Sequence, residues 1–328
     1  MLVRILLACL VGFGLASTSS AATIFQDTFG SGSTLNPSTY PTPTAASTGY
    51  TILSTKAATT GPSLTAGSLR ISMNSGTTSG VVETQALTPD ATLANAGDVL
   101  KYTVTFVNTG DLLAGGTSSY VYAGIYNSGS SAPVVLNNSG LNTTAGSPFA
   151  TGGAFGWQGY VGRIAPTGGT AQIYTRPAQN GTDTSSQNQD VVGNNAGGGL
   201  YDSPAGTSIN STSSTLAALT TGDTYTYQMA VTLNGDASQT FESSLYAGAS
   251  ASGSPLWTQS GIATTPLATT YNAIAIGYRN SGTSLNPVMT VQSVSLDVSA
   301  VPEPASLSLL AVGGLAAGFV RRTRPARI

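Results

Sequence analysis

The acid and base groups that could do chemistry in this chain are few. Histidine is absent, which removes the commonest general base and every Ser-His or Cys-His arrangement. Cleavage of a sugar bond needs two positioned carboxyl groups, and the only glutamates in residues 23–300, the body of the chain, are Glu83 and Glu242. They lie in separate strand-like segments, with no E-x-D-x-x-E run. We predict that both face solvent and that the body is not an enzyme.

Oxygen ligands for a metal ion are concentrated in the long polar stretch 176–222. The candidates there are Asp183, Asp190, Asn194, Asn195 and Asp202. Calcium is bound by several clustered oxygens of this kind, but no D-x-D-x-D spacing is present. Because Asp and Asn are also common turn residues, we predict turns and no cofactor, with a calcium site as the open alternative.

Aromatic rings that could stack on a sugar face form a third group of candidates. The candidates are Trp157, Tyr160, Tyr174, Tyr201 and Trp257, of which we name Tyr201, Trp157 and Trp257 as possible glycan-stacking residues. Aromatic residues also fill β-sandwich cores, and Phe155 and Trp157 alternate as residues of a buried strand do. The pattern favours a core position for Trp157 and leaves Tyr201, in the polar stretch, as the better surface candidate.

The composition indicates many strands and polar turns. Charged residues are only 7% of the chain, and the Glu, Lys, Arg and Gln that long surface helices use are scarce. The body has six Lys and Arg against twelve Asp and Glu, a net charge of −6. Such a body does not neutralise phosphates, so we predict no nucleic-acid partner.

Apolar and polar residues alternate with a period of two, and this alternation predicts which side chains lie in the core. In KYTVTFV, Tyr102, Val104 and Phe106 share one face, and DTYTYQMAVTLN repeats the pattern. Near the end of the body the parity changes after Val291, which a β-bulge at Gln292 or Ser293 would explain. About a dozen such segments, with one helical turn expected at 215–219, predict a two-sheet antiparallel β-sandwich.

The N-terminal segment has the organisation of a signal peptide. Arg4 precedes an apolar run from Ile5 to Ala16, and small residues follow. This order of charge, apolar run and small residues is typical of a cleaved export signal. We predict that residues 1–22 are removed by cleavage after Ala22.

The C-terminal segment 301–328 combines a rigid motif, an apolar run and a basic end. The motif is Val301, Pro302, Glu303 and Pro304, and the basic residues are Arg321, Arg322, Arg324 and Arg327. Between them, 305–320 would form a transmembrane helix of about 24 Å, somewhat shorter than a hydrocarbon core of about 30 Å. The positive-inside rule would leave the arginines in the cytoplasm and the body exported.

This order of motif, span and arginines resembles the PEP-CTERM sorting domain of exported proteins from Gram-negative bacteria that make extracellular polysaccharide. The resemblance implies processing by a membrane exosortase near Pro302–Pro304 and delivery to the cell envelope, cell surface or extracellular matrix. It also implies membrane attachment through the C-terminal helix before processing, and leaves open whether the body stays anchored afterwards.

The body in turn resembles concanavalin A-like, laminin-G-type jelly rolls. An early Asp27-Thr28-Phe29 strand, a Tyr-rich strand after LTTGD, SLYAG, and a pairing of YNAIAIGYRN with VQSVSLDV carry the resemblance. It extends over Thr23 to Ser299 and implies a jelly-roll sandwich.

We therefore expect three parts: a signal peptide at 1–22, one sandwich domain at 23–300 with a long loop at 176–222, and a sorting signal at 301–328. The leading hypothesis is an exported structural or polysaccharide-associated protein of the cell surface or biofilm matrix. A lectin-like carbohydrate-binding module is the alternative, and a polysaccharide-degrading enzyme is third.

Overall fold

The computed structural model of the chain is all β in the residues that it describes. These are residues 21–37, 39–54, 63–72, 80–110, 120–133, 153–166, 168–170, 172–178, 191–192, 207–213, 215–280 and 287–301. Within these ranges the helical structure is one 3-10 turn at Gly153–Gly156. No helix in this described part is long and apolar enough to cross a membrane. The predicted transmembrane helix at 305–320 and the signal peptide up to residue 20 lie outside it.

Nine strands form the larger sheet. In spatial order they are β12 (Asn210–Ser213), β16 (Trp257–Ala263), β15 (Gln239–Ala247), β14 (Thr224–Leu233), β7 (Val99–Gly110), β18 (Pro287–Ser299), β5 (Ser68–Ser72) and β4 (Ser63–Thr65). β1 (Ala21–Asp27) also pairs with β18. Every pairing in this sheet is antiparallel.

Seven strands form the second sheet. Their order is β11 (Gln172–Arg176), β9 (Gln158–Ile164), β8 (Tyr120–Asn127), β17 (Thr270–Asn280), β6 (Gly80–Thr92), β3 (Gly49–Ser54) and β2 (Thr34–Leu35). Only the short β2–β3 pairing is parallel. A separate two-stranded sheet joins β10 (Gly169–Thr170) to β13 (Thr215–Leu216). The helical turn expected at 215–219 is therefore wrong for its first two residues, because they form a strand.

The core between the two large sheets follows the predicted alternation. Tyr102, Val104 and Phe106 of β7 are buried in it, beside Tyr227 and its neighbours of the same parity on β14. The two sheets approach closely at Gly162 of β9, because a Cβ there would overlap the Tyr227 hydroxyl. The expected all-β, two-sheet sandwich is confirmed by these pairings.

The predicted bulge in the last strand is present. The register of β18 against β7 shifts between Val291 and Ser293. The shift returns Val294 and Leu296 to the core on the same side as Val291, and all three are fully buried. Without it, a strict two-residue period would turn the second half of β18 outwards.

The seven-stranded sheet is also covered on its outer face. A second cluster there joins Tyr122 and Tyr126 of β8 to Trp157, Val191 and Val192. The Trp157 ring lies 5.8 Å from that of Tyr126, and its indole N–H donates to the Ser131 carbonyl at 2.9 Å. The candidate site lies on this outer face.

The two ends of the body leave it side by side. Thr23 of β1 pairs with Asp297 near the end of β18, and Ala21 and Ala22, which precede the predicted cleavage point, pair with Ser299 and Val298. Because these strands are antiparallel, the chain enters and leaves the sandwich at the same end.

Candidate functional site

Glu83 of β6 is completely buried, so the prediction that it faces solvent is wrong. Its carboxylate accepts the backbone N–H of Val191 at 3.2 Å and of Val192 at 3.0 Å, and the Gln85 amide donates to it as well. Residues 191–192 lie over the sheet here, next to Gly277. Glu83 therefore holds this covering segment through hydrogen bonds.

Glu242 of β15 is exposed, as predicted, and lies on the opposite side of the molecule. Its neighbour Phe241 points into the core between the sheets, so Glu242 faces away from that core. Glu83 faces outwards from the other sheet, between the inward-facing Val82 and Thr84. The two carboxyl groups are separated by both sheets, which pack about 10 Å apart. They do not flank one sugar bond, where acid and base lie at most about 9.5 Å apart.

The two tryptophans proposed for glycan stacking are core residues. Trp157 is completely buried and Trp257 is 2% exposed. Trp157 packs under the segment that covers the outer face, and Trp257 belongs to the core between the sheets. This corrects the stacking hypothesis for both, because neither ring offers a face to a sugar. Tyr201 lies outside the described residues.

The calcium candidates Asp183, Asp190, Asn194, Asn195 and Asp202 also lie outside the described residues. Among the residues that are described, no three Asp, Glu, His or Cys side chains come together as a metal site would require.

The structure brings together a polar and aromatic group of which the sequence analysis named only Tyr174; the other tyrosine named there, Tyr160, lies in the core between the sheets. We call it the Arg–Tyr cluster, and it consists of Tyr120, Tyr122, Arg163, Gln172, Tyr174 and Arg279 on the outer face of the seven-stranded sheet. One row of register partners crosses four strands, with Gly277 of β17 opposite Tyr122, Tyr122 opposite Arg163, and Arg163 opposite Gln172. Arg279 lies opposite Tyr120 in the adjacent row.

Arg163 is held in a defined position within the cluster. Its guanidinium carbon lies 4.2 Å from the centre of the Tyr120 ring and 5.2 Å from that of Tyr174. One guanidinium N–H donates to the side-chain oxygen of Gln172, which also accepts the hydroxyl of Tyr174. Cation–π contacts of this kind keep an arginine extended over the rings without neutralising its charge.

This face of the sheet is rich in positive charge for an acidic protein. Three of the six body cations, Arg163, Arg176 and Arg279, belong to it. Arg176 is completely buried and donates to the Trp157 carbonyl, which is a structural role. Arg163 and Arg279 are partly exposed. Within the described ranges no carboxylate pairs with either, and the Nε of each is buried without a hydrogen-bond partner.

The sorting motif begins directly on the surface of the body. The N–H of Val301 donates to Asp98 at 2.9 Å, and the N–H groups of Ala94 and Asn95 donate to the other oxygen of the same carboxylate. Burial raises the pKa of Asp98, but the N–H groups of Asn95, Val301 and Ala94 outweigh it and the pKa is lowered. Gly97 leaves room for this contact, since a Cβ there would lie 2.7 Å from Val301 Cγ2.

The remaining sorting residues, Pro302, Glu303, Pro304, Arg321, Arg322, Arg324 and Arg327, lie outside the described part of the chain. Residues 300–324 match the family model of the PEP-CTERM protein-sorting motif. The match confirms the sorting assignment made from the tail, and it indicates an exported protein that an exosortase processes.

Known structures with a similar backbone are lectins and polysaccharide-acting enzymes. The carbohydrate recognition domain of Emp47p is 9% identical, with a TM-score of 0.40 over 76% of this chain and 89% of that one. The endo-1,3-beta-glucanase from Streptomyces sioyaensis is 15% identical, with a TM-score of 0.42 over 87% and 99%. The Lotus tetragonolobus seed lectin is 8% identical, with a TM-score of 0.40 over 78% and 94%. These similarities concern the fold alone. No curated protein sequence matches the chain.

Proposed function

We propose that this chain is a structural, polysaccharide-associated protein of the cell surface or extracellular matrix of a Gram-negative bacterium. An exosortase-type enzyme processes it at the membrane. The observation that supports this proposal is the sorting motif at 300–324, whose first residues emerge from the end of β18 and are fixed to the body through Val301 and Asp98.

The paired ends of the body suit this route. Thr23 and Asp297 are register partners, so a leader and a C-terminal span would start from adjacent points on one end of the sandwich. Arg4 and the four C-terminal arginines both favour the cytoplasmic side. Both spans would thus cross the same membrane in opposite directions, with the folded body on the other side.

The distance between the body and the membrane is short in this arrangement. After Val301 only Pro302, Glu303 and Pro304 precede the apolar run. Three residues reach about 10 Å even when fully extended. The motif would therefore be read at the membrane surface, close to the end of the sandwich that carries Asp98.

Mass spectrometry of the protein from its own cells tests the proposal. We expect a mature chain that begins at Thr23 and ends near Pro302–Pro304, and a chain that retains 305–328 when the exosortase gene is deleted. A double variant, Pro302→Ala with Pro304→Ala, should also retain the tail. The matched control, Ser306→Ala with Ser308→Ala, should be processed normally. A mature wild-type chain that still contains 305–328 would overturn the sorting proposal.

We further propose that the body binds rather than cleaves polysaccharide. The two body glutamates face away from each other across the sandwich, and Glu83 is engaged by backbone N–H groups. Incubation of purified matrix polysaccharide with the protein should therefore release no new reducing ends. Cleavage that is lost in Glu83→Gln or Glu242→Gln would contradict this and favour the degrading enzyme.

A lectin-like module with a discrete site is the second candidate function. The Arg–Tyr cluster favours it, because an arginine fixed between aromatic rings is a specific feature rather than a general surface property. Binding on a glycan array should then be selective, and loss of binding with a chelator would add a calcium site. An array without any bound glycan would contradict the module.

A further inference from the structure

We propose that the Arg–Tyr cluster binds an acidic glycan, an oligosaccharide that carries at least two carboxylates. The inference rests on the polysaccharide association proposed above and names its site and ligand class. Arg163 and Arg279 would bind the carboxylates, and Gln172 and Tyr120 would form the surroundings of the sugar.

The first argument is the state of the two guanidinium groups. Of the five N–H donors of Arg163, Gln172 accepts one. The Nε of each arginine is buried without a partner in the described residues, so a ligand would meet the terminal N–H groups of these partly exposed side chains. A buried or half-buried guanidinium donor without an acceptor is costly. A carboxylate is the ligand that matches the guanidinium fork in both charge and geometry.

The second argument is how unusual these cations are in this body. The net charge of residues 23–300 is −6, so a general electrostatic attraction for polyanions is excluded. Binding of an acidic ligand must instead be local. The carboxylate of Glu83 on the same face accepts N–H groups of Val191 and Val192, which reduces its repulsion of a bound anion.

The third argument is the spacing of the two arginines. Arg163 lies on β9 and Arg279 on β17, with β8 between them, and their register rows are two residues apart. From strand spacing and rise, their Cα atoms are about 12 Å apart. Because the two arginines stand on different strands, each guanidinium can take a carboxylate of its own in the bidentate geometry. Two charges on different sugar units of an oligomer would supply both.

The neighbouring tyrosine rings hold Arg163 in place before any ligand binds. Tyr120 and Tyr174 hold the Arg163 guanidinium, and Tyr120 is 6.1 Å from Tyr122 in the same patch. An arginine that is already ordered loses little side-chain entropy when it binds. Its position on strands, rather than on a loop, keeps the donors at a fixed spacing.

Titration calorimetry on the full chain, purified in detergent, tests the inference. The probe is an oligogalacturonate of defined length, and its control is the same oligosaccharide with every carboxyl methyl-esterified, which keeps the sugar shape and removes the charge. We expect the acid to bind at least about tenfold more tightly than the ester, the effect of one lost charged hydrogen bond. Equal affinities for both would overturn the proposal.

Variants then locate the site. Arg163→Gln and Arg279→Gln should each weaken binding of the acid by about tenfold or more. Arg70→Gln is the matched control, because Arg70 is exposed on β5 of the other sheet, and its affinity should stay within about twofold. An equal loss in Arg70→Gln, or no loss in either cluster variant, would refute the site.

Arg163→Lys keeps the experiment decisive if Arg163→Gln unfolds. It retains the charge but loses the planar fork, so binding should still weaken while the melting temperature stays near that of the wild type. The result is also separable from sorting. Normal tail removal with no acid-selective binding rejects the acidic-glycan site alone, and acid-selective binding with an unprocessed tail rejects the sorting proposal alone.

Discussion

The two glutamates of the body allow one prediction to be worked out in detail, because the same substitution should have opposite results at the two positions. Glu83→Ala should destabilise the protein strongly and loosen the segment at 191–192. Glu242→Ala should have almost no effect. The difference follows from burial, since Glu83 is fully buried and Glu242 is exposed.

The magnitude follows from the hydrogen bonds that are lost. Removal of the Glu83 carboxylate leaves the N–H groups of Val191 and Val192 without their acceptor, and both residues are fully buried. Each unsatisfied buried group costs about 1–3 kcal/mol, so the expected loss is about 2–6 kcal/mol. An exposed substitution away from special features stays within about 0.5 kcal/mol, which is the expectation for Glu242→Ala.

Urea unfolding of the wild type and both variants measures the free energies of unfolding. Hydrogen exchange at Val191 and Val192 measures the local effect, and it should accelerate in Glu83→Ala only. Equal losses of stability in the two variants, with unchanged exchange at 191–192, would refute the assignment of Glu83 as the group that holds this segment.

Three further predictions follow from other contacts. Gly162→Ala should lower the free energy of unfolding in urea by about 1–3 kcal/mol, because the new methyl group overlaps the Tyr227 hydroxyl. Tyr227→Phe in the same chain should restore part of this loss. If the effects of the two substitutions on stability simply add, the overlap is contradicted. Burial raises the pKa of Tyr160 to about 12, above its unfolded value of about 10. The contribution of Tyr160 to stability should therefore be complete below pH 10 and be lost between about pH 10 and 12. Phenolate absorbance follows the titration of the tyrosines. Release of every tyrosine proton near pH 10 in the folded protein would contradict the raised pKa. Asp98→Ala should speed limited proteolysis just after β18, because Val301 loses its acceptor. In the wild type, the lowered pKa of Asp98 means that its hydrogen bond with Val301 is complete above pH 4 and weakens as the pH falls further. Proteolysis that responds neither to the substitution nor to the lower pH would argue against this hydrogen bond.

The periodic features of the body could be predicted from sequence because they depend on neighbouring residues. Alternation on β7 and β14 gives the core face directly, and the change of parity on β18 gives the bulge between Val291 and Ser293. The tail could be assigned because charge, apolar length and proline act locally, and the family match at 300–324 agrees.

The position of Glu83 could not be predicted in the same way. Its alternation with Val82 and Thr84 correctly indicates an outward-facing side chain. An outward-facing side chain is not an exposed one here, because Val191, 108 residues later in the chain, covers Glu83. No local pattern at Glu83 contains that information.

The Arg–Tyr cluster was missed for a related reason. Strand alternation places Arg163 and Arg279 on outward faces. Whether they lie near each other depends on the order of β9, β8 and β17 in the sheet, and this order does not follow the sequence. Two strand pairings, β8 with β9 and β8 with β17, had to be known before Arg163, Tyr120 and Arg279 could be placed on one patch.

The position of β18 also sets the time at which the body can finish folding. This strand is the last of the body to be synthesised, yet it lies inside the nine-stranded sheet, where β7 and β5 flank it and β1 pairs with it. Until residues 287–299 arrive, β1 and β5 lack this partner and the sheet is incomplete. A chain that is synthesised from its N-terminus therefore cannot complete this sheet before its last strand is available. Val301 follows β18 directly, so its contact with Asp98 forms only when this last strand has paired with β7.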